Sequence, residues 1–383
     1  MRVPAPRQMD RREALRGIGL LAGGAALAGC AAAQVETGPG RADAVYDLVP
    51  VKAREDRIIR TVVGLRPYRP AGFVVRTDVI DGKPIVHNYG HGGGGITLSW
   101  GTAHLAMEEA MRTEHRRCAV IGCGAVGLAT ARLLQRHGWD VTIYARDLPP
   151  RTTSNIAGGQ WSPSSVFESG SVDSLFHDRF ARAARLAHRY YQDLVSPYYG
   201  VRWIDQWYTS DREIDARLHG GLADLFPNGD AFGPGEHAFP SRHAYRETTM
   251  LVEPHIYLAA MERDVRLAGA QIVVREFRSP AELVALPEPL VVNCTGLGAR
   301  ELFDDRELIP VRGQLVILLP QPEVDYLLLT DAFYYMFPRA DGIVLGGTFE
   351  RNEWSLEPDP ATTTRIVGAH STFFAAMTRP AGA

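Results

Sequence analysis

Three glycines spaced as Gly122-x-Gly124-x-x-Gly127, with Ala125 and Val126 between the last two, follow the apolar run Cys118-Ala119-Val120-Ile121. An amphipathic stretch then leads to a second apolar run, Val141-Thr142-Ile143-Tyr144. Residues of these types in this order cradle a phosphate. Gly122 allows a tight turn, Gly124 lets the backbone approach a pyrophosphate, and Gly127 lets helix pack on strand. The free N–H groups and positive dipole end of the helix then face the anion. The spacing predicts a β-α-β unit that binds a dinucleotide.

Beyond the second strand, Thr152-Thr153-Ser154-Asn155-Ile156-Ala157-Gly158-Gly159-Gln160-Trp161-Ser162-Pro163 packs small hydroxyls and paired glycines before an aromatic. Such a segment lets backbone lie flat against a large planar ring system. With the glycine motif before it, this run resembles the D-amino-acid oxidase family of FAD enzymes. Val292-Asn293-Cys294-Thr295-Gly296 and Arg312-Gly313-Gln314 are similar to the family's third FAD-contacting strand and to the turn into its substrate domain. Tyr335-Met336-Phe337-Pro338-Arg339 and Leu345-Gly346-Gly347 resemble its substrate-side strands. Two more motifs, Gly64-Leu65-Arg66-Pro67-Tyr68-Arg69-Pro70 and the glycine-rich run from His87 to Gly101, resemble the family's last two, normally near its C-terminus. Here they precede the dinucleotide motif. The order implies a circular permutation in which the family's terminal helix, at about residues 102–114, feeds into the first strand of the dinucleotide unit. Folded domains often bring their termini together at the surface, which makes such rewiring tolerable.

The fold expected is therefore α/β: a FAD-binding Rossmann-like domain with a second, antiparallel-sheet substrate domain, circularly permuted. Residues 1–30 read as a signal, 31–55 as a linker and 56–116 as the permuted segment. Residues 117–165 and 245–305 form the expected FAD-binding domain, and 166–244 with 306–383 the substrate domain.

The resemblance implies oxidative deamination of D-amino acids by FAD and oxygen. A glycine or sarcosine-type oxidase of the same fold, or a lipid-anchored flavoprotein without turnover, are the alternatives. The substrate carboxylate needs a planar, bidentate cation. The family motif puts that role on Arg66, with Arg69 three residues on as the other candidate, and gives Tyr335 a hydrogen bond to the same carboxylate. Gly93 would offer a carbonyl to the amine. Gly92, Gly93, Gly94, Gly95 and Thr97 are expected beside the flavin, Thr97 at its edge, with the glycines followed by an apolar strand. The remaining cofactor contacts implied are Gly122, Gly124, Ala125, Val126, Gly127, Thr152, Thr153, Ser154, Gly158, Gly159, Gln160, Phe277 and Thr295. Arg146 stands where family members carry an acidic residue for the ribose, and Asp147 follows it. Asp331 stands where many members have a second active-site tyrosine, leaving Trp203, Trp207 or Tyr208 as candidates for a lid.

A chain of 383 residues, 45% hydrophobic and 22% charged, exceeds one usual core and predicts two subdomains. A net charge of −3, with no basic stripe, excludes a nucleic-acid footprint. Asp10-Arg11-Arg12-Glu13 followed by an apolar run to Gly29 and then Cys30 reads as a twin-arginine export signal with a lipoprotein-like site. Processing would make Cys30 a lipid anchor on a tether. Cys118, Cys123 and Cys294 lie in apolar or glycine-rich surroundings and read as buried inert thiols. His87 and His91 fall in a loop context, not on one helix face, so no metal site is expected.

Overall fold

The computed structural model describes residues 48–215 and 218–378; the signal, Cys30 and the linker up to residue 47 lie outside them. In chain order the first strands are β1 (Ile58–Tyr68), β2 (Val74–Ile80), β3 (Lys83–Tyr89), β4 (Arg117–Ile121) and β5 (Asp140–Ala145). They are followed by β6 (Val201–Ser210), β7 (Asp230–Phe232), β8 (His243–Val252), β9 (Gln271–Val274) and β10 (Leu290–Asn293). The last are β11 (Ile309–Leu318), β12 (Leu327–Thr330), β13 (Tyr335–Arg339), β14 (Gly342–Gly346) and β15 (Glu350–Arg351). The helices used below are α1 (Ser99–Met111), α2 (Ala125–Arg136), α3 (Thr153–Ile156), α4 (Ser174–Asp193), α5 (Pro254–Leu267) and α6 (Pro360–Ala375).

One sheet has the order β2-β3-β10-β4-β5-β9. From β3 to β9 its strands are parallel, with β2 antiparallel at the edge. Parallel strands covered on both faces read as unbroken apolar runs. That is why Cys118–Ile121 in β4 and all of β10 are buried without alternation. Helices α1, α2, α4 and α5 cover one face in a core that includes Trp100, Leu128, Tyr191 and Tyr257; Ile85, Ala119, Val291 and Leu302 lie in a second cluster. The helices α1 and α4 touch backbone to backbone, since a Cβ on Gly101 would sit 1.8 Å from the Ala183 carbonyl oxygen.

The other sheet has the order β1-β11-β14-β13-β12-β6-β8-β7, with β15 beside β11. Its pairings are antiparallel except β12 with β6. Strand alternation sends Trp207, Val316, Leu328 and Met336 into a core closed by Ile366, Val367 and Phe374 of α6. The opposite face presents Ile204, Leu315, Phe337 and Val344.

Several sequence expectations change here. Residues 96–100 are not a strand: α1 begins at Ser99, three residues before the expected start, and ends at Met111. Ile96, Leu98, Trp100 and Ala103 are all buried, and an apolar run buried on every side has no periodicity with which to separate helix from strand. Arg312-Gly313-Gln314 is not a turn but the middle of β11, paired with Val63–Leu65 of β1. Residues 245–252 belong to β8 in the antiparallel sheet, not to the dinucleotide unit, because β8 pairs with β6 along its whole length. Helix α4, expected with the substrate domain, packs in the core of the parallel sheet.

Candidate active site

The β4-to-α2 turn is shaped by two glycines that the protein's own backbone requires. Gly122 has φ of 116°, and a Cβ there would lie 2.4 Å from the Cys294 carbonyl oxygen. A Cβ on Gly127 would lie 2.0 Å from the Gly122 carbonyl oxygen. Gly124 differs, because its Cβ would meet only the Ser154 hydroxyl, at 3.0 Å. It is the N-cap of α2 with no side-chain cap, and of the first N–H groups Ala125 donates to Ser154 Oγ at 3.0 Å. Gly122, Gly124, Ala125, Val126 and Gly127 all line a cavity of about 1210 Å³. Space in front of Gly124 and an uncapped helix start suit a pyrophosphate.

The same cavity runs to β1 and β13, where Arg66 and Tyr335 line it. Both side chains lie across glycines of neighbouring strands. A Cβ on Gly313 would fall 2.5 Å from Arg66 Nη1, and one on Gly346 would fall 2.0 Å from Tyr335 Cζ. Arg66 Nη2 donates to the Tyr335 hydroxyl at 3.5 Å, while Arg66 Nη1 is buried with no hydrogen-bond partner among the described residues. A desolvated guanidinium edge without an anion is unfavourable and is suited to receiving a carboxylate. Arg69 is committed elsewhere, its Nε 2.8 Å from Asp305, Nη2 2.6 Å from Glu307 and Nη1 donating to the Gly72 carbonyl.

A family model for FAD dependent oxidoreductases matches residues 23–109 and 117–381 of the chain. The chain belongs to this family. A D-amino-acid oxidase of Streptomyces coelicolor is 32% identical over 259 residues, 65% of this chain and 74% of that protein. A D-amino-acid oxidase of Rubrobacter xylanophilus is 31% identical over 267 residues, 66% of this chain and 75% of that one. The structure of glycine oxidase from Geobacillus kaustophilus shares the fold, with a TM-score of 0.53 at 16% identity over 70% of this chain and 81% of that one. The cofactor of the family is FAD, and the cradle at Gly124 and the open start of α2 fit its pyrophosphate.

The remaining FAD contacts implied by the sequence divide into those that face the cavity and those that support it. Arg146, Asp147 and Phe277 line the end beyond β5. There Arg146 Nε donates to Asp147 Oδ2 at 2.7 Å and Nη1 lies 3.5 Å from Glu276, so the cation is held by carboxylates. Thr152, Thr153 and Ser154 line the wall at α3, where Thr152 Oγ1 donates to Asn155 Oδ1 at 2.8 Å. Gly158, Gly159 and Gln160 also face the cavity, but the two glycines answer a protein constraint. A Cβ on Gly158 would meet the Phe337 ring at 2.5 Å, and one on Gly159 (φ 101°) the Val252 carbonyl at 2.2 Å. Thr295 gives its N–H and hydroxyl to Asn293 Oδ1, at 3.2 and 2.7 Å.

Gly92, Gly93 and Gly94 form a 3₁₀ turn, and Gly92, Gly93, Gly95 and Thr97 line the cavity. Gly94 does not. It is buried behind the turn, where a Cβ would meet Val166 at 2.7 Å, so it does not face the space in which the flavin contact is expected. The Gly93 N–H donates to the Ser165 carbonyl at 2.9 Å. The Thr97 hydroxyl donates to the Ser162 carbonyl at 3.0 Å and accepts its N–H at 3.2 Å, tying together the two loops that face the cofactor site. His87 and His91 do not converge on one point. His87 contacts Asp78 and Asn293 while His91 bonds to Thr102, and burial lowers them to about 4 and about 3. Burial pushes the Cys123 and Cys294 thiols up to about 12, as inert cysteines require.

Of the lid candidates only Tyr208 lines the cavity. Trp207 points the other way, into the core with Phe232 and Phe239, and Trp203 packs on His188. Asp331 accepts from the Ser210 hydroxyl at 3.0 Å beside the cavity. The sequence reading missed Phe349, whose ring centroid lies 5.8 Å from the Arg66 guanidinium, and Ser165, whose carbonyl holds the glycine turn. It also missed the buried Gln206–Glu247 pair behind Tyr208. No sequence signal singles that pair out, because β6 also carries Arg202, Asp205 and Thr209, and β8 also carries Arg246, Thr248 and Thr249.

The glycine geometry separates fold from cofactor. Gly127→Ala is expected to lower apoprotein stability by about 1–3 kcal/mol, since α2 must move off the turn. Gly124→Ala is expected to leave apoprotein melting unchanged and weaken FAD binding about tenfold or more. Thermal melts of the apoproteins and flavin fluorescence titrations check both; equal melting losses in the two variants would contradict the assignment.

Proposed function

We propose that the chain oxidatively deaminates D-amino acids to 2-oxo acids, releasing ammonia and hydrogen peroxide. The observation that carries this reading is the unpartnered Arg66 Nη1 beside Tyr335, at one end of the cavity whose other end is the dinucleotide cradle. The D-amino-acid oxidases among its relatives, and a human D-aspartate oxidase 27% identical over 262 residues, support it. The overall reaction consumes the amino acid, oxygen and water and yields the 2-oxo acid, ammonia and peroxide. FAD, when bound, supplies the two-electron oxidation at the Cα–N bond.

The chain's own residues supply position. Arg66 receives the substrate carboxylate on two parallel N–H groups, and Tyr335 adds a hydroxyl beside Nη2. With the carboxylate held at two points, rotation about the Cα bond is restricted and one enantiomer presents its Cα hydrogen toward the cofactor side. The Gly93 carbonyl is the proposed acceptor for the amine. Leu329, Phe337 and Phe349 line the same space and exclude water from the charged contact. The imino acid then hydrolyses to the 2-oxo acid and ammonia.

The motif order is read as a circular permutation of the family arrangement. Supporting this, β3 pairs with β10 in the dinucleotide sheet, α1 leads from it into β4, and the family model matches in two segments separated at residues 110–116. The two-part division into FAD-binding and substrate domains is proposed with β8 assigned to the latter and α4 to the former. For residues 1–30 the proposal is twin-arginine export. Lipidation at Cys30 and a tether from residue 31 to about 54 would place the enzyme at the outer side of the cytoplasmic membrane or in the periplasm.

Arg66→Ala is expected to keep FAD but lose about 2–5 kcal/mol of transition-state stabilisation, read as kcat/KM for D-alanine in a peroxide assay. Tyr335→Phe should lose only about 0.5–1.5 kcal/mol. Parent-like turnover by Arg66→Ala would exclude this carboxylate site. Moving residues 56–116 behind residue 383 with a short linker should preserve FAD binding, the change in loop closure being about 1 kcal/mol; a folded rearranged protein without flavin would count against the permutation. Replacing Arg11 and Arg12 with Lys should retain the protein in the cytoplasm, and Cys30→Ala should abolish lipidation. Cell fractionation that finds the parent in the cytoplasm would refute the export proposal.

A further inference from the structure

Behind the cavity wall, β6 and β8 carry a buried polar chain whose hydrogen-bond direction can be traced. Gln206 of β6 stands directly opposite Glu247 of β8, and Tyr208 follows two residues on, on the same face. Glu247 is 1% exposed, with Oε1 2.7 Å from His219 Nε2 and bonded to Gln206 Nε2. A carboxylate has no hydrogen to give, so the Gln206 group that faces it must be the NH₂. That NH₂ also donates to the Tyr208 hydroxyl oxygen at 2.9 Å, while Gln206 Oε1 accepts from Gln160 Nε2 at 2.5 Å. Burial, with Glu247 nearby, holds the Tyr208 phenol well above its ordinary value, so it keeps its proton. Among the described residues no protein acceptor takes that proton, and Tyr208 lines the cavity.

The register says which part of a substrate the hydroxyl meets. Tyr208 is paired with Leu329 of β12, and Leu329 with Tyr335 of β13. Strands spaced at about 4.8 Å put Tyr208 about 10 Å along the sheet from Tyr335. Tyr335 leans the opposite way, over Gly346 toward Arg66. Tyr208 is therefore on the far side of Tyr335 from the carboxylate anchor, where the side chain of an anchored amino acid extends. Glu213, Asp215 and Asp331 also line the cavity, with Asp331 bonded to Ser210 at the end of β6.

Resting on the amino-acid oxidase reading above, we propose that Tyr208 is a specificity-determining donor. It selects D-amino acids whose side chains carry a neutral hydrogen-bond acceptor, the carboxamides foremost. An aliphatic side chain leaves the Tyr208 hydrogen unpaired. A carboxylate side chain meets the repulsion of Glu213 and Asp331. Gln206 and Glu247 are positioning residues that keep the phenol oxygen occupied and its hydrogen toward the substrate.

D-asparagine and D-leucine have nearly the same shape, so their ratio of kcat/KM isolates this contact. The parent enzyme should favour D-asparagine over both D-leucine and D-aspartate. Tyr208→Phe should lower the asparagine-to-leucine ratio about fivefold, with D-leucine turnover within about twofold of the parent and flavin content unchanged. Glu247→Gln keeps the shape but frees the Gln206 amide to turn over, and should lower the same ratio without loss of D-leucine activity. An unchanged ratio in Tyr208→Phe, or an equal fall on both substrates, overturns the role of Tyr208. A Glu247→Gln variant with the parent ratio overturns the positioning role. A parent that oxidises no D-amino acid instead overturns the reading of the reaction itself, and this proposal with it.

Discussion

A guanidinium edge buried without a counter-ion is the feature on which the arrangement of this site depends. Arg66 Nη1 has no hydrogen-bond partner among the described residues, and such a group is stable only where the surrounding structure holds it rigidly. The antiparallel sheet does this through pairing that is continuous from Arg60 to Tyr68 along β11, and through two glycines, 313 and 346, that open the surface for Arg66 and Tyr335. Larger side chains at those positions would displace both groups. Asp305 and Glu307 pair with Arg69, and Glu350 pairs with Arg312, so these carboxylates are engaged by other cations.

The dinucleotide side follows the same logic with backbone in place of side chains. Gly122 and Gly127 bring α2 against the end of β4, and this close packing aims the start of the helix into the cavity. The loops at Gly92–Gly95 and Ser162–Ser165 are joined by Thr97 and by the Gly93 N–H, so the walls on either side of the cofactor site are bonded to each other. A bound planar ring would meet a preformed surface, which reduces the ordering that binding requires.

Features set by neighbours in the chain were legible from the residues alone; features set by register were not. The glycine spacing at 122–127 and the strands around it are local, and the structure has them where the pattern puts them. Arg66 and Tyr335 are 269 residues apart, and only the family resemblance brings them together in a reading of the sequence. The run Arg312-Gly313-Gln314 reads as a turn only through the family resemblance. In the fold Gly313 makes room for Arg66, while Arg312 and Gln314 bond to the segment 355–363 that follows β15. Gly94 cannot be told from Gly93 without the handedness of the turn. Among Trp203, Trp207 and Tyr208, the phase of β6 decides which one faces the cavity, and composition carries no information about phase.

In the proposed reaction, a carboxylate held at Arg66 presents Cα to FAD in a single handedness. Mixing the purified flavoprotein with D-alanine or L-alanine in the absence of oxygen, and following the visible flavin absorption, tests that claim without reliance on any downstream product. Rapid bleaching by D-alanine with little change by L-alanine is the predicted result. Bleaching by the L-isomer at the same or a greater rate would contradict it.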